Sequence, residues 1–115
     1  MELKFKTELL KKHLDQLLEI YEANQPPESM SDKHFFLKVK ESTQPIYDLL
    51  KEWETTALDF AKQRKVTIHP HQIISTKENM ELLILHSYYV DTRRKRYMEL
   101  NHSSHYIFDQ LLRDL

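Results

Sequence analysis

The chain has 115 residues and a formal net charge of −1, from 17 basic and 18 acidic side chains, and it contains neither glycine nor cysteine. The absence of glycine excludes glycine-rich phosphate loops, dinucleotide-binding fingerprints and type I′ hairpin turns, because all of these need backbone without a Cβ. The absence of cysteine excludes disulfides, thiolate zinc sites and thiol nucleophiles. Apolar residues make up 40% and charged residues 30% of the chain. At this length, that balance predicts one soluble domain over residues 1–115.

The sequence predicts a cytoplasmic protein. Residues 1–7 alternate apolar and charged side chains and lack the apolar core of a signal peptide. The longest nearly uncharged stretch, Leu82 to Val90, is nine residues long, whereas a bilayer crossing takes about twenty residues. The near-neutral charge argues against a surface that binds nucleic acid or membrane over its whole area, and it leaves room for local patches.

Apolar residues recur every three or four positions at the start of the chain, which predicts an amphipathic helix from about Glu2 to Asn24. Its inward stripe consists of Leu3, Thr7, Leu10, Leu14, Leu17 and Tyr21. Pro26 and Pro27 end this helix, because neither residue can donate a backbone hydrogen bond. Ser31 or Asp32 is the expected N-cap of the next helix.

A second apolar stripe runs through the middle of the chain and keeps its phase across Pro45. It consists of Phe35, Val39, Ser42, Ile46, Leu49, Trp53, Ala57 and Phe60. An internal proline removes a hydrogen bond and clashes with the preceding turn, so we expect a kink or break near residues 41–45. The prediction is a short helix from Asp32 to about Ser42, followed by a longer one from Gln44 to Arg64, with both facing one core.

The third helix is expected from about His71 to Val90, because Pro70 suits a helix N-terminus. Its inward positions are Ile73, Lys77, Met80, Ile84, Ser87 and Tyr88. Its second half is apolar almost all round, which is typical of the most buried helix in a bundle. An exposed apolar strip there would instead indicate a dimer interface.

The phase of the apolar residues predicts a turn near Asp91 and Thr92, either of which can cap the helix that follows. In a continuous helix, Tyr97 and Leu100 would lie roughly 160–220° around the axis from Ile84. A fourth helix from about Arg93 to Arg113 restores a common core through Tyr97, Leu100, Ser104, Ile107, Phe108 and Leu111. The sequence therefore predicts an all-α, four-helix up-and-down bundle whose second helix is kinked or broken near Pro45.

Several short motifs resemble a known family. They are Phe35-Phe36, Trp53, Lys77-Glu78-Asn79-Met80, Leu83-Ile84-Leu85-His86-Ser87-Tyr88 and Lys95-Arg96-Tyr97. Together they resemble the YppE-like family of small cytoplasmic proteins of Gram-positive bacteria, and the likeness extends over nearly the whole chain. The resemblance implies a compact helical bundle. The family is a domain of unknown function, so the resemblance implies no activity and no site residues.

Neither a metal site nor a catalytic centre is expected. Bundles that hold two metals use two Glu-x-x-His motifs, and this chain has one, from Glu99 to His102, whose histidine faces away from the core. Ser42, Ser87 and Ser104 lie on inward faces, but none has a histidine and a carboxylate on its own face. Such hydroxyls more often bond the carbonyl four residues earlier. We therefore expect no cofactor and no enzymatic activity.

A run of four cations opens the fourth helix, where each opposes the helix dipole by about 0.3–1 kcal/mol. The run consists of Arg93, Arg94, Lys95 and Arg96. One interpretation is that solvent and nearby acids offset this cost, the candidate acids being Asp91, Glu99, Glu28 and Asp32. The other is an anionic partner, either nucleic acid or an acidic protein surface. Tyrosines nearby, at 88, 89 and 97, suit base stacking or a protein interface equally.

The favoured hypothesis is a non-enzymatic module that binds a protein partner, does not attach to membranes, and is a monomer or weak homodimer. It would use the end of the bundle that carries Pro26-Pro27, Asp32 to Phe36, and Tyr89 to Tyr97. The candidate binding residues are Phe36, Tyr89, Arg93, Arg94, Lys95, Arg96 and Tyr97. The alternative is weak binding of nucleic acid or another polyanion through residues 93–96. A metal-dependent enzyme is the least favoured hypothesis.

Overall fold

A computed structural model describes residues 2–23, 33–90 and 92–115. In these ranges the chain forms four α-helices, which are α1 (Leu3–Ala23), α2 (Lys33–Lys62), α3 (Pro70–Tyr89) and α4 (Arg94–Asp114). α1 and α3 each lie next to the three other helices, whereas the backbones of α2 and α4 are not neighbours in the described ranges. The cross-section is therefore a rhombus with α1 and α3 on its short diagonal.

Contacts between helix ends show that consecutive helices run antiparallel. Lys6, near the start of α1, donates to the hydroxyl of Thr56, near the end of α2. Phe35, near the start of α2, contacts Tyr89 at the end of α3. The last turn of α3 is hydrogen-bonded to the first turn of α4 through the hydroxyl of Tyr97. The predicted up-and-down bundle is confirmed.

The first and last helices bury the stripes that their sequences predict. Every predicted inward residue of α1 and α4 is buried. At the centre, Trp53 is 0% exposed. Its indole N–H donates to the Thr7 hydroxyl over 3.1 Å, and its ring meets that of Phe108 edge-on at 5.4 Å. The predicted helix end at Asn24, the Pro26-Pro27 loop and the N-cap at Ser31 or Asp32 lie outside the described residues.

The second helix is one continuous α-helix with Pro45 inside it, so the prediction of two separate pieces was wrong. Pro45 and Glu41 are both exposed, so the backbone carbonyl that loses its amide partner is on the solvent side of the helix. On the buried side, the Thr43 hydroxyl donates to the carbonyl of Val39 over 2.8 Å. The helix therefore tolerates the proline without ending.

Of the predicted inward stripe of α2, only the middle is buried, namely Ile46, Leu49, Trp53 and Ala57. Ser42, predicted to be inward, is exposed, and Phe35, Val39 and Phe60 are half-buried. The first buried residue of the helix is Thr43. The buried face is shifted by one residue at both ends of the predicted stripe, because Thr43 is buried in place of Ser42 and Ala61 in place of Phe60.

The turn between α3 and α4 lies where the phase of the apolar residues places it. α3 ends at Tyr89, and Val90 adopts a left-handed conformation with φ of 48°. α4 begins at Arg94, and its N-cap is Arg93, without a side-chain cap hydrogen bond. The expectation that Thr92 would cap was wrong. Asp91 lies outside the described residues.

The carbonyl of Thr92 has another role, because it accepts a hydrogen bond of 2.6 Å from the Tyr21 hydroxyl. This bond ties the turn between α3 and α4 to the end of α1.

α3 is central, yet it is not buried all round. Three of its apolar side chains are exposed, namely Ile74, Leu82 and Leu85. α3 was predicted to be the most buried helix. It lies at the centre of the bundle as expected, but its outer face is exposed. Within the described residues, no helix is both long enough and apolar enough to cross a bilayer.

Candidate functional site

The first ten residues of α2 are helical but poorly covered. We call residues 33–42 the α2 arm. No arm residue is buried, and Phe35 and Val39 are half-buried, while the others are exposed. From Thr43 onward the same helix buries seven side chains. The arm lies beside α1 and α3, but cavities separate it from both helices, so it lacks a complete packing partner.

The arm is anchored to the bundle by aromatic contact. The Phe35 ring meets the Tyr89 ring edge-on, with centroids 5.3 Å apart. The next two side chains, Phe36 and Leu37, are 55% and 59% exposed. An isolated helix of this length is marginal in water. The arm is helical because it continues the packed part of α2, and its apolar side chains remain available to another molecule.

A mostly apolar cavity of about 260 Å³ lies between the arm and α3. We call it the α2–α3 groove. Its walls are Phe36, Val39 and Tyr47 from α2 and Ile84, Leu85 and Tyr89 from α3. Among the described residues of this lining, Lys40 is the charged one. The groove is thus mostly apolar and carries a cation in its lining.

A second cavity of about 570 Å³ lies on the opposite side of the arm, against α1. Its lining includes Ile20, Lys38, Ser42 and Tyr88. Burial raises the pKa of the Tyr88 phenol, while a hydrogen bond with Ser42 acts in the opposite direction. With cavities on both sides, the arm has few of the side-chain contacts that fix a packed helix.

Cations are concentrated at this end of the bundle. The arm carries Lys33, Lys38 and Lys40 against Glu41, and the segment 93–96 carries four more cations. These two segments hold seven of the 17 basic side chains and one of the 18 acidic ones. Because the whole chain has a net charge of −1, the rest of it is acidic by −7.

The predicted cationic run divides between ion pairs and solvent. Arg94 pairs with Glu22 of α1 at 2.6 Å, and Arg96 pairs with Glu99 at 3.8 Å. Arg93 and Lys95 are exposed and have no ion pair within the described part of the chain. Glu99 was among the predicted partners, but Glu22 was not. The other predicted partners, Asp91, Glu28 and Asp32, lie outside the described residues.

Tyr97 is unavailable to a partner, so its place among the candidate binding residues was wrong. It is 0% exposed and stacks on Tyr21 with centroids 4.0 Å apart. Its hydroxyl is hydrogen-bonded to that of Ser87 over 2.6 Å, and burial raises its pKa to about 12. The inward phase of Tyr97 in the sequence already indicated this position.

The structure brings two of the predicted residues, Phe36 and Tyr89, into one groove. Residues 93–96 lie at the same end of the bundle but do not line this groove. Sequence reasoning missed Tyr47, Leu85 and Lys40. The signal for Leu85 was present, because α3 carries more apolar residues than a single buried face can hold.

The histidines and serines lie at separate places. Among the described residues, no three metal-ligating side chains come together. His69 accepts a hydrogen bond from the backbone N–H of His71 and caps α3. The hydroxyl of Ser87 bonds the carbonyl of Leu83 as predicted, whereas that of Ser104 has no hydrogen-bond partner in the described ranges.

A cavity of about 490 Å³ lies between α3 and α4, near the start of α3. Its lining includes His71, Asn79, His102 and Tyr106. Both histidines are exposed, so the cavity is an open surface depression rather than an enclosed site.

Comparison with known proteins agrees with the resemblance seen in the sequence. A family model described as a bacterial domain of unknown function (DUF1798) matches residues 7–115. The X-ray structure of protein YppE from Bacillus subtilis is similar with a TM-score of 0.80 at 21% identity, over 97% of this chain and 90% of that chain. At that identity the likeness shows a shared fold. A search of curated proteins finds no match. The YppE-like resemblance is thereby confirmed.

Proposed function

The chain belongs to this family of bacterial domains of unknown function, and from its surface we propose that it is a cytoplasmic, non-enzymatic module that binds a protein partner. The proposed contact site is the α2–α3 groove with the α2 arm. The observation that carries the proposal is a ten-residue helical segment without a buried side chain, in which Phe36 and Leu37 are exposed.

Burial energetics support a protein partner at this place. Single exposed apolar residues are ordinary, but contiguous apolar patches mark interaction sites. Phe36 and Leu85 form opposite walls of one groove, and Leu37, the residue after Phe36, is exposed as well. Covering a large apolar side chain completely is worth about 1.5–3 kcal/mol. A partner that covers these half-exposed side chains would gain part of this from each and would also hold the arm in place.

The test is site-specific photo-crosslinking in cells that make the protein naturally. A photoreactive amino acid replaces Phe36 in one variant and Tyr106 in another. Tyr106 is 62% exposed on α4, away from the arm. We expect discrete adducts with a second protein from position 36 and not from position 106.

Two substitutions in α3 make the test specific for the groove. Leu85 and Ile74 are exposed to similar extents, 43% and 42%, on the same helix, but only Leu85 lines the groove. Leu85→Asp should abolish the adducts from position 36, and Ile74→Asp should leave them. The proposal is wrong if position 36 gives no adduct, or if both substitutions have the same effect.

Binding of nucleic acid or another polyanion through residues 93–96 is the second candidate, supported by the exposure of Arg93 and Lys95. It has less support, because Arg94 and Arg96 pair with acids and Tyr97 cannot stack on a base. Titration of an oligonucleotide against salt tests it. Phosphate contacts would make log affinity fall steeply with log salt.

A further inference from the structure

The geometry and charge of the α2–α3 groove point to a partner of particular chemistry. We propose that the segment bound there is an acidic amphipathic helix, an inference that rests on the proposed protein-binding function. The occupant would place apolar side chains between α2 and α3 and carboxylates beside Lys33 and Lys40.

The size of the groove favours side chains of a helix over a small molecule. Its volume of about 260 Å³ is below the range of roughly 300–1,000 Å³ that small-molecule sites occupy. Along α2 its lining runs from Phe36 to Tyr47, which corresponds to about 16 Å of helix or three turns. A helix of that length, with apolar anchors every three or four residues, matches the known helix-in-groove mode of recognition.

The charges around the groove indicate which charge the side chains of a partner should carry. Lys33 precedes Phe36 by three residues and Lys40 follows it by four, so these lysines flank Phe36 on one face of the helix. Neither lysine has an ion pair within the described part of the chain. At the far end of the groove, beside Tyr47, Glu81 and Glu54 share Lys77 at 3.9 Å and 3.8 Å. Among the described lining residues the charge is therefore that of Lys40, and acidic residues on the partner would be attracted to the arm end.

The arm contains its own control residue. Lys38 is two positions from both Phe36 and Lys40, and it lines the cavity on the α1 side instead of the groove. Lys38→Glu and Lys40→Glu change the net charge of the arm equally. A general attraction to the basic end of the bundle would respond equally to both substitutions, whereas a helix in the groove would respond to Lys40→Glu.

The experiment measures fluorescence anisotropy with two synthetic helical peptides of about 14 residues, or four turns. Both carry the same leucine and phenylalanine face, and the opposite face is glutamate in one peptide and lysine in the other. We expect the glutamate peptide to bind at least about tenfold more tightly. Lys40→Glu should weaken that binding about tenfold, and Lys38→Glu should change it by less than about twofold.

Each contrary outcome is distinguishable. Equal affinities for the two peptides, equal effects of the two lysine substitutions, or no binding of the glutamate peptide would overturn the inference. If crosslinking from position 36 nevertheless captures a protein in a Leu85-dependent manner, the proposed function stands and only the partner chemistry is wrong. Binding to vesicles of anionic phospholipid that displaces the peptide would assign the groove to lipid. Adducts between two differently tagged copies of this chain would assign it to self-association.

Discussion

At the scale of single residues, the centre of the core is organised around Trp53. Its indole N–H donates to the hydroxyl of Thr7, which in turn donates to the carbonyl of Leu3. Its ring packs edge-on against Phe108 of α4. One side chain of α2 therefore links α1 and α4 across the middle of the bundle, and its buried polar atom is satisfied.

Trp53→Ala should lower the free energy of unfolding by about 3–5 kcal/mol, because it removes a completely buried side chain and leaves a cavity. Trp53→Phe keeps most of the apolar volume but loses the indole hydrogen bond, so it should cost clearly less. Urea denaturation of both variants measures the difference. A loss below about 1 kcal/mol in the alanine variant would mean that the core around residue 53 collapses onto the vacated space.

Tyr97 makes the stability of the protein fall at high pH. Burial raises the pKa of its phenol from 10.0 to about 12. The unfolded chain therefore gives up the phenolic proton near pH 10, while the folded chain keeps it until about pH 12. This contribution to stability is fully present below pH 10 and is lost as the pH rises towards 12.

The pH prediction is tested by comparing the wild-type protein with Tyr97→Phe in denaturation experiments across that range. The wild-type free energy of unfolding should fall by up to about 1.4 kcal/mol per pH unit more than that of the variant. Tyr47 and Tyr88, whose pKa values burial also raises, are present in both proteins and cancel in the comparison. Parallel curves would show that Tyr97 titrates normally.

At the scale of helices, the absence of glycine has a visible consequence at two helix ends. Arg64 after α2 and Val90 after α3 adopt left-handed conformations, with φ of 57° and 48°. The N–H of Arg64 donates to the carbonyl of Ala61, and the N–H of Lys65 donates to that of Phe60. This is the Schellman arrangement, in which glycine is the usual residue at the left-handed position.

Arg64→Gly should therefore raise the free energy of unfolding by about 1 kcal/mol, because it relieves the crowding of Cβ against the backbone. Arg64 is exposed, so little packing is lost. Lys62→Gly is the matched control, since residue 62 is still helical and glycine there should destabilise by about 0.5–1 kcal/mol. Thermal melts measure the effect. A shift of Tm in the same direction for both variants would contradict the strain at Arg64.

At the scale of the whole molecule, charge and packing are distributed unevenly. The acidic majority of the chain contrasts with a cationic end, and that same end carries the uncovered arm. The opposite end is held more closely, because Asp114 at the end of α4 accepts hydrogen bonds from the N–H and hydroxyl of Thr67. These bonds lower the pKa of the Asp114 carboxyl. The bundle thus has one end fastened by polar contacts and one end with open apolar surface.

Replacing Arg93, Arg94, Lys95 and Arg96 together by alanine should leave the free energy of unfolding equal or raised by up to about 1 kcal/mol. The variant loses two exposed ion pairs, worth about 0–1 kcal/mol each, and gains relief from the helix dipole. Adducts from position 36 should persist, because the four residues do not line the groove. Their loss would place the cationic run in the interface, and an unfolded variant would give it a structural role.

The sequence by itself determined the order of the helices and the inward faces of α1 and α4, because each stripe is a local pattern with a 3.6-residue period. Even the turn between α3 and α4 followed from a phase reversal. Tertiary structure decided the rest. Pro45 stays within α2 because its exposed side faces water, and residues 33–42 stay uncovered because cavities separate them from α1 and α3. A periodic pattern specifies which face is apolar, but only the neighbours specify how much of that face is buried.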